Sequence, residues 1–399
     1  MTSHNRKSGG VNDAPEPESA YTKIAYDPLD TRHYGAVSMP VYQNSLFAFE
    51  SYAQFEQAIQ DENGQFHVYS RGNNPTVEYL ERKLAELEGG ERAKCFGSGM
   101  AAISAAVLSV VGQGDHILCS NQAYGPAREF MGNYLKRFGV ETTFVDGSSL
   151  EAWKAEARPN TKLLYLESPT SLQFELQDLA AVGAFARSIG AVTIIDNTWA
   201  TPVYQQPLRL GIDLVVHSIT KYISGHSDCV GGVVIGPNRL MESLIRSEYM
   251  LLGGIMTAQT AATVMRGLRT LPLRMERHQS SGLKVARHLS GRPYVRQVNH
   301  PGLPEHPQHE LALRQMSGFG SLFSIQSDEP LDKLKEWATR LRYFKIGVSW
   351  GGFESLVTVH RLPVRSGEMR NFVRFFVGLE NPDDLIRDLD DAWASLQDE

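Results

Sequence analysis

Several short apolar runs separated by helix-patterned segments limit this chain's fold more than any other feature. They are His116–Ser120, Val140–Val145, Thr161–Leu166, Ala191–Asp196 and Asp213–Ile219. Each is short and rich in β-branched residues, as a strand buried on both faces should be. The segments between them have helical patterning, notably Asp178–Ile189 and the stretch that ends at Phe138. Strands alternating with helices form a parallel sheet covered on both faces, so the expected class is α/β. In open sheets of this kind ligands sit outside the carboxyl ends of the strands. The residues that close these runs are therefore the first candidates for chemistry.

Two of the runs close on reactive side chains. Asp213–Ile219 leads into Thr220, Lys221 and the polar turn Ser224-Gly225-His226-Ser227-Asp228. A lysine at a strand end either caps the strand in solvent or, if its amine loses its proton readily, does covalent chemistry with an aldehyde. Ser218 and Thr220 alternate about Ile219 and offer hydroxyls to a phosphate. Ala191–Asp196 ends on an acid followed by Asn197 and Thr198. A carboxylate at a neighbouring strand end can hold a pyridinium nitrogen protonated.

Other stretches admit two readings each. Tyr69 and Arg71 lie in a loop before a helix Val77–Leu87, with Thr76 as expected N-cap and Gly89-Gly90 closing it; they bind an anion or decorate the surface. Gly97-Ser98-Gly99-Met100 opens a small-residue helix to Val111, as a phosphate cup or a tight turn. Tyr124 after the His116–Ser120 strand is a core or a site tyrosine. The run Val373–Gly378 carries Arg374, with Arg361 and Arg365 as nearby competitors.

Asp196-Asn197-Thr198, Ser218-Ile219-Thr220-Lys221-Tyr222 and Ser224-Gly225-His226-Ser227-Asp228, in that order, resemble the pyridoxal-phosphate enzymes of cysteine and methionine metabolism, the cystathionine lyases and synthases. The likeness runs from about residue 30 to the C-terminus. It implies the aspartate-aminotransferase-like fold type I: a large, mostly parallel sheet of the seven-stranded type plus a smaller C-terminal α+β domain. It further implies pyridoxal 5'-phosphate held by Lys221 as a Schiff base, with Asp196 on the ring nitrogen and Tyr124 stacked on the ring. Gly99 and Met100 amides and the Ser218 and Thr220 hydroxyls would hold the phosphate, with Tyr69 and Arg71 reaching a neighbouring subunit's phosphate. Arg374 would clamp the substrate α-carboxylate, beside Ser349 and Trp350 in Ser349-Trp350-Gly351-Gly352-Phe353-Glu354-Ser355. A dimer at least is implied, and the family's habit is a homotetramer built as a dimer of dimers.

Within the family, Trp199, Ser171-Leu172 and Trp350 resemble the bacterial cystathionine β-lyase branch. Many relatives have Asn-Pro at Ser171-Leu172, and that asparagine's contact to the cofactor is missing here. Gly125 after Tyr124 looks more like the wider family. The expected activity is α,β-elimination of L-cystathionine, or a related thioether amino acid, to a thiol, pyruvate and ammonia. The alternative is the γ-branch, by elimination or replacement. A non-catalytic cofactor-binding protein is a remoter one.

Length and composition fit this reading. At 399 residues the chain exceeds one compact core. The expected units are a disordered tail 1–20, an arm for subunit contact 21–60, a cofactor-binding α/β domain 61–255 and an α+β domain 256–399. The net charge of −6 is dispersed, which disfavours nucleic acid. Cys95, Cys119 and Cys229 are scattered, which favours a reducing cytoplasm and no disulfide framework. The longest apolar-rich stretch, Met100–Val111, is too short for a bilayer. His300, His306 and His309 have no Asp or Cys at ligand spacing, so loose loop histidines and no metal are expected.

Overall fold

The buried strand patterns assemble in a computed structural model that describes residues 18–61 and 66–397. The larger sheet contains β1 (Arg92–Phe96), β2 (His116–Ser120), β3 (Glu141–Val145), β4 (Thr161–Glu167), β5 (Val192–Asp196), β6 (Leu214–Ser218) and β7 (Gly232–Gly236). Their order across the sheet is β1-β7-β6-β5-β4-β2-β3. The run from β6 to β3 is parallel, while β7 is antiparallel to both its neighbours. Helices such as Leu179–Ser188, N-capped by the Asp178 side chain, cover the faces.

A smaller sheet follows: β8 (Gln297–Asn299), β9 (Leu322–Ser327), β10 (Lys345–Ile346), β11 (Leu356–Pro363) and β12 (Met369–Phe376), ordered β10-β11-β12-β9-β8. The helices Leu271–Ser290, Leu331–Arg340 and Pro382–Ala394 pack on its core around Trp337 and Phe375. The fold is thus α/β, with a mixed seven-stranded sheet and a smaller C-terminal sheet domain.

Several expectations need correction. The apolar run Gly231–Ile235 reads as the last, antiparallel strand of the large sheet; it is antiparallel but lies inside the sheet, because β1 pairs on its far side. The sequence hides β1 since Lys94 looks like a surface residue. It is instead buried, 2.9 Å from Glu81 and 5.0 Å from the Tyr249 ring centre. The N-cap of the helix Pro75–Glu88 is Asn74, not Thr76: Pro75 offers no N–H, and the Thr76 amide donates to Asn74 Oδ1 at 3.0 Å.

The pattern from Arg239 to His288 reads as one long helical region, but it breaks at Gly253, φ +71°, and Ile255 bridges to Phe96. His300 and His306 are buried rather than loose: His300 Nε2 meets the Gly320 carbonyl at 3.1 Å, and the Gln308 amide donates to His306 Nδ1 at 3.1 Å. Their turn closes over aromatic core, with His300 stacked edgewise on Trp199 and Phe319.

Most of the expected tail, residues 1–17, lies outside the described residues. Ser19 already caps a helix Ala20–Ala25 whose Ile24 is buried against the main core. The arm after it is extended as far as residue 50 except for a turn at Thr31–His33, exposes Leu29, Tyr34 and Val37, and ends in a helix Tyr52–Ile59. Among the described residues no helix is long and apolar enough to cross a membrane.

Candidate active site

The carboxyl ends of β4, β5 and β6 meet the loop before β11, and the candidate residues converge there. Lys221 follows β6 by three residues, and its Nζ lies 2.5 Å from Ser349 Oγ and 5.7 Å from the Trp350 ring centre. Ser349 takes φ +86°, in the left-handed region that costs a serine energy, which marks a loop held in place by its surroundings. Gly351, φ +89°, presses on the lysine's own backbone: a Cβ there would fall 2.7 Å from Lys221 C. Burial and the Arg374 guanidinium pull the Lys221 amine down to a pKa of about 8, against the pull of Asp196. A lysine so perturbed is easily freed of its proton, as a covalent catalyst requires.

Asp196 ends β5 directly opposite Glu167 at the end of β4. The Thr198 amide donates to Asp196 Oδ1 at 3.0 Å and its hydroxyl donates to the same oxygen. The Thr198 hydroxyl oxygen in turn accepts the Ser218 amide at 2.8 Å, tying the ends of β5 and β6 together. Burial raises both carboxyls, and Glu167, facing Asp196, is pushed up to about 8. Glu167 Oε2 accepts the Tyr124 amide at 2.6 Å, and Oε1 accepts the Ser171 hydroxyl. The Tyr124 phenol, 44% exposed, is raised by burial and by the charges of Asp196 and Glu167.

The helix Gly99–Leu108 opens beside this cluster with Ser98 as N-cap. A Cβ on Gly99 would lie 3.0 Å from Ser218 Cβ and Oγ, and one on Gly232 would lie 2.3 Å from the Ser98 carbonyl. Only glycine allows this close seat of the helix end on β6 and β7. The amides of Gly99 and Met100 donate to no described residue, leaving the positive helix end ready for an anion.

Arg374 lies on β12 between Thr358 of β11 and Ser324 of β9. It is largely buried, which lowers its pKa, and it forms no hydrogen bond or ion pair with another described residue. A buried guanidinium without a partner suits an incoming carboxylate. Arg365 is instead bound to Asp146 at 3.1 Å.

Lys221, Asp196, Tyr124, Ser218, Gly99, Met100, Ser349, Trp350 and Arg374 thus share one region. Thr220 adjoins it, but its hydroxyl donates to the Gly231 carbonyl at 3.2 Å and accepts the Gly231 amide at 3.1 Å. Tyr69 and Arg71 stand apart: Arg71 donates to the Met250 carbonyl at 2.6 Å and lies 5.7 Å from the Tyr69 ring centre. Sequence reasoning missed Glu167 and Thr198 as site residues. Glu167 ends a strand run just as Asp196 does, and that was the available signal.

These residues fit pyridoxal phosphate: two free amides at a helix end for the phosphate, a readily deprotonated lysine, and buried carboxyls short of a positive charge. The comparisons agree. The family described as Cys/Met metabolism PLP-dependent enzyme matches residues 22–394. The chain is 38% identical over 376 residues to L-methionine gamma-lyase of Fusobacterium nucleatum subsp. polymorphum, covering 91% of this chain and 95% of that one. It is 36% identical over 386 residues to cystathionine beta-lyase of Lactococcus lactis subsp. cremoris, covering 94% and 98%. The crystal structure of metB from Corynebacterium glutamicum superposes with a TM-score of 0.87 at 34% identity, over 96% of this chain and 100% of that one. The family match spans nearly the whole chain and takes in the helix end, the lysine and the paired carboxyls, so this protein belongs to the pyridoxal-phosphate-dependent enzymes of cysteine and methionine metabolism.

Proposed function

We propose that this enzyme is a carbon–sulfur lyase that cleaves L-cystathionine, or a related thioether amino acid, by α,β-elimination to homocysteine or another thiol, pyruvate and ammonia. The observation that carries the reading is the seating of the Lys221 amine between Ser349 and the Trp350 indole, itself braced by Tyr222 at 5.3 Å between ring centres. β-Elimination asks the base for one proton, at the α-carbon. γ-Elimination asks for a second at the β-carbon, and a closely held amine favours the single transfer.

Lys221 would carry the cofactor, Asp196 would face its ring nitrogen, Tyr124 its ring, and the Gly99 and Met100 amides with the Ser218 hydroxyl its phosphate. Thr220 contributes a phosphate bond only if its hydroxyl leaves the Gly231 carbonyl. When bound, pyridoxal phosphate supplies the electron sink that stabilises negative charge at the substrate α-carbon. Arg374 pairs with the substrate carboxylate and orients the α-hydrogen. Lys221 then takes that proton, and it or Tyr124 protonates the departing sulfur.

Residues 61–255 form the cofactor domain and 256–399 the smaller one in this reading. Tyr69 and Arg71 serve the neighbouring subunit's phosphate in a homotetramer of two dimers, which the exposed apolar side chains of the arm support. The buried free thiols of Cys95 and Cys119 suit a cytoplasmic enzyme.

A second reading, the γ-branch, is favoured by the 38% identity to a methionine gamma-lyase. Incubating the loaded enzyme with L-cystathionine and identifying products by mass spectrometry decides. Homocysteine with pyruvate supports β-elimination, whereas cysteine with 2-oxobutyrate establishes the γ-reaction and overturns the proposal.

A further inference from the structure

Behind the Lys221 turn lies a buried cation without a carboxylate partner. Arg274, on the helix Leu271–Ser290, is 6% exposed and makes no ion pair with a described carboxylate. Burial lowers its pKa only to about 10, so it stays charged at neutral pH. Its donors go to main-chain carbonyls: Tyr222 at 2.7 Å, Gly267 at 2.8 Å and Ile223 at 3.5 Å. Nε donates to Thr270 Oγ1 at 3.0 Å.

The chain is cleared of side chains to let this guanidinium in. A Cβ on Gly225 would fall 2.0 Å from an Arg274 nitrogen, and one on Gly267 would fall 2.0 Å from the Ser224 carbonyl oxygen. Burying a guanidinium without a counter-ion costs energy that an apolar side chain of similar volume would avoid. Its planar fork of donors, by contrast, can fix several carbonyls at once.

Two of the three carbonyls it meets belong to the two residues that follow Lys221, and the third, that of Gly267, ties them to the neighbouring helix. Gly351 abuts the same turn, where a Cβ would lie 2.6 Å from the Tyr222 amide nitrogen and 2.8 Å from Lys221 Cα. The turn is therefore gripped by Arg274 through its carbonyls and by Gly351 at its backbone.

We propose that Arg274 is a positioning residue for Lys221: by fixing the Tyr222 and Ile223 carbonyls it keeps the lysine backbone against Gly351, and so keeps the amine at Ser349 and out of water. The inference rests on Lys221 being the residue that carries the cofactor.

The test compares the cofactor-loaded wild type with Arg274→Lys and Arg274→Met, reading the pH midpoint of the absorbance band of the cofactor–lysine linkage. Arg374 and Asp196, the charged groups that face Lys221, stay in place in both variants. In the loaded enzyme Lys221 supplies the imine nitrogen of that linkage, and burial disfavours its protonated, cationic form, so freeing the turn into water moves the midpoint up by about one pH unit. Lysine at 274 keeps the charge and loses the fork, so a rise common to both variants reports position. A rise in the methionine variant alone reports the cation's field and overturns the proposal, as does an unchanged midpoint accompanied only by a lower melting temperature. If neither variant folds, Thr270→Val removes one anchor of the guanidinium: a smaller rise supports the proposal and no rise overturns it. Lys221→Ala is run in parallel, and a band that survives there refutes the assignment of Lys221 instead.

Discussion

Glu167 and Asp196 face each other across the ends of β4 and β5, a buried carboxyl beside a partly buried one on the adjacent strand, with no cation hydrogen-bonded to either. Two like charges so placed cannot both ionise cheaply in a buried site. Glu167 yields, rising to about 8 while still accepting the Tyr124 amide and the Ser171 hydroxyl.

This pair should make the cofactor-free protein less stable as pH rises. Glu167 has a folded pKa near 8 against an ordinary 4.5, so between those values the folded state binds the extra proton and stability falls with increasing pH. Glu167→Gln has no proton to lose and should flatten that slope. Melting curves of the cofactor-free wild type and variant at several pH values between 5 and 8 check it; equal slopes would refute the coupling.

Lys221 in the cofactor-free protein should react with an amine-directed acylating reagent with a midpoint near pH 8, well below that of an ordinary lysine at 10.5. Below the midpoint the amine is protonated and inert, and above it the amine is free. Peptide mapping by mass spectrometry across pH measures this directly. A midpoint near 10 would mean the amine is solvated.

Arg374→Ala should cut kcat/KM by roughly 10²–10³-fold, the usual scale for losing one side of a desolvated charge pair. Cofactor loading should remain normal, since Arg374 meets the substrate and not the cofactor in this reading. Arg374→Lys should recover part of the loss. Steady-state kinetics and the cofactor absorbance together give the answer, and an unchanged KM would exclude the carboxylate role.

Glu88 and His217 form a fully buried pair at 2.7 Å beneath the ends of β5 and β6, with Asn197 alongside. His217→Ala leaves the Glu88 carboxyl without that partner and should cost about 3 kcal/mol of stability. The double variant Glu88→Gln, His217→Gln should recover part of it. Denaturant titration of all three proteins shows whether the two sites couple.

Trp350→Leu should raise the share of γ-products from L-cystathionine if the indole restrains Lys221. The product ratio by mass spectrometry is the readout. An unchanged ratio would remove Trp350 from the specificity argument.

The strand-end residues of this protein were readable from sequence because a strand buried on both faces writes itself as a short apolar run. Lys221 and Asp196 stand where such runs stop, and local pattern suffices to find them. Arg374 was harder, since Arg361 and Arg365 compete nearby. Its lack of a partner, and the Arg365–Asp146 ion pair, emerge only when β9, β11 and β12 are assembled.

Tertiary structure alone decided what lies far apart in the chain. The strand β1 was invisible because Lys94 is buried by pairing with Glu81, a contact that composition cannot report. Glu167 became a site residue only through its register with Asp196. Arg274 reads as one more basic residue on a helix until its guanidinium is seen closing on the carbonyls after Lys221. Sequence determined which segments are buried and where they end, since apolar periodicity is local. The charge each ionisable group carries depends on neighbours brought in from distant segments, and only the folded chain supplies those.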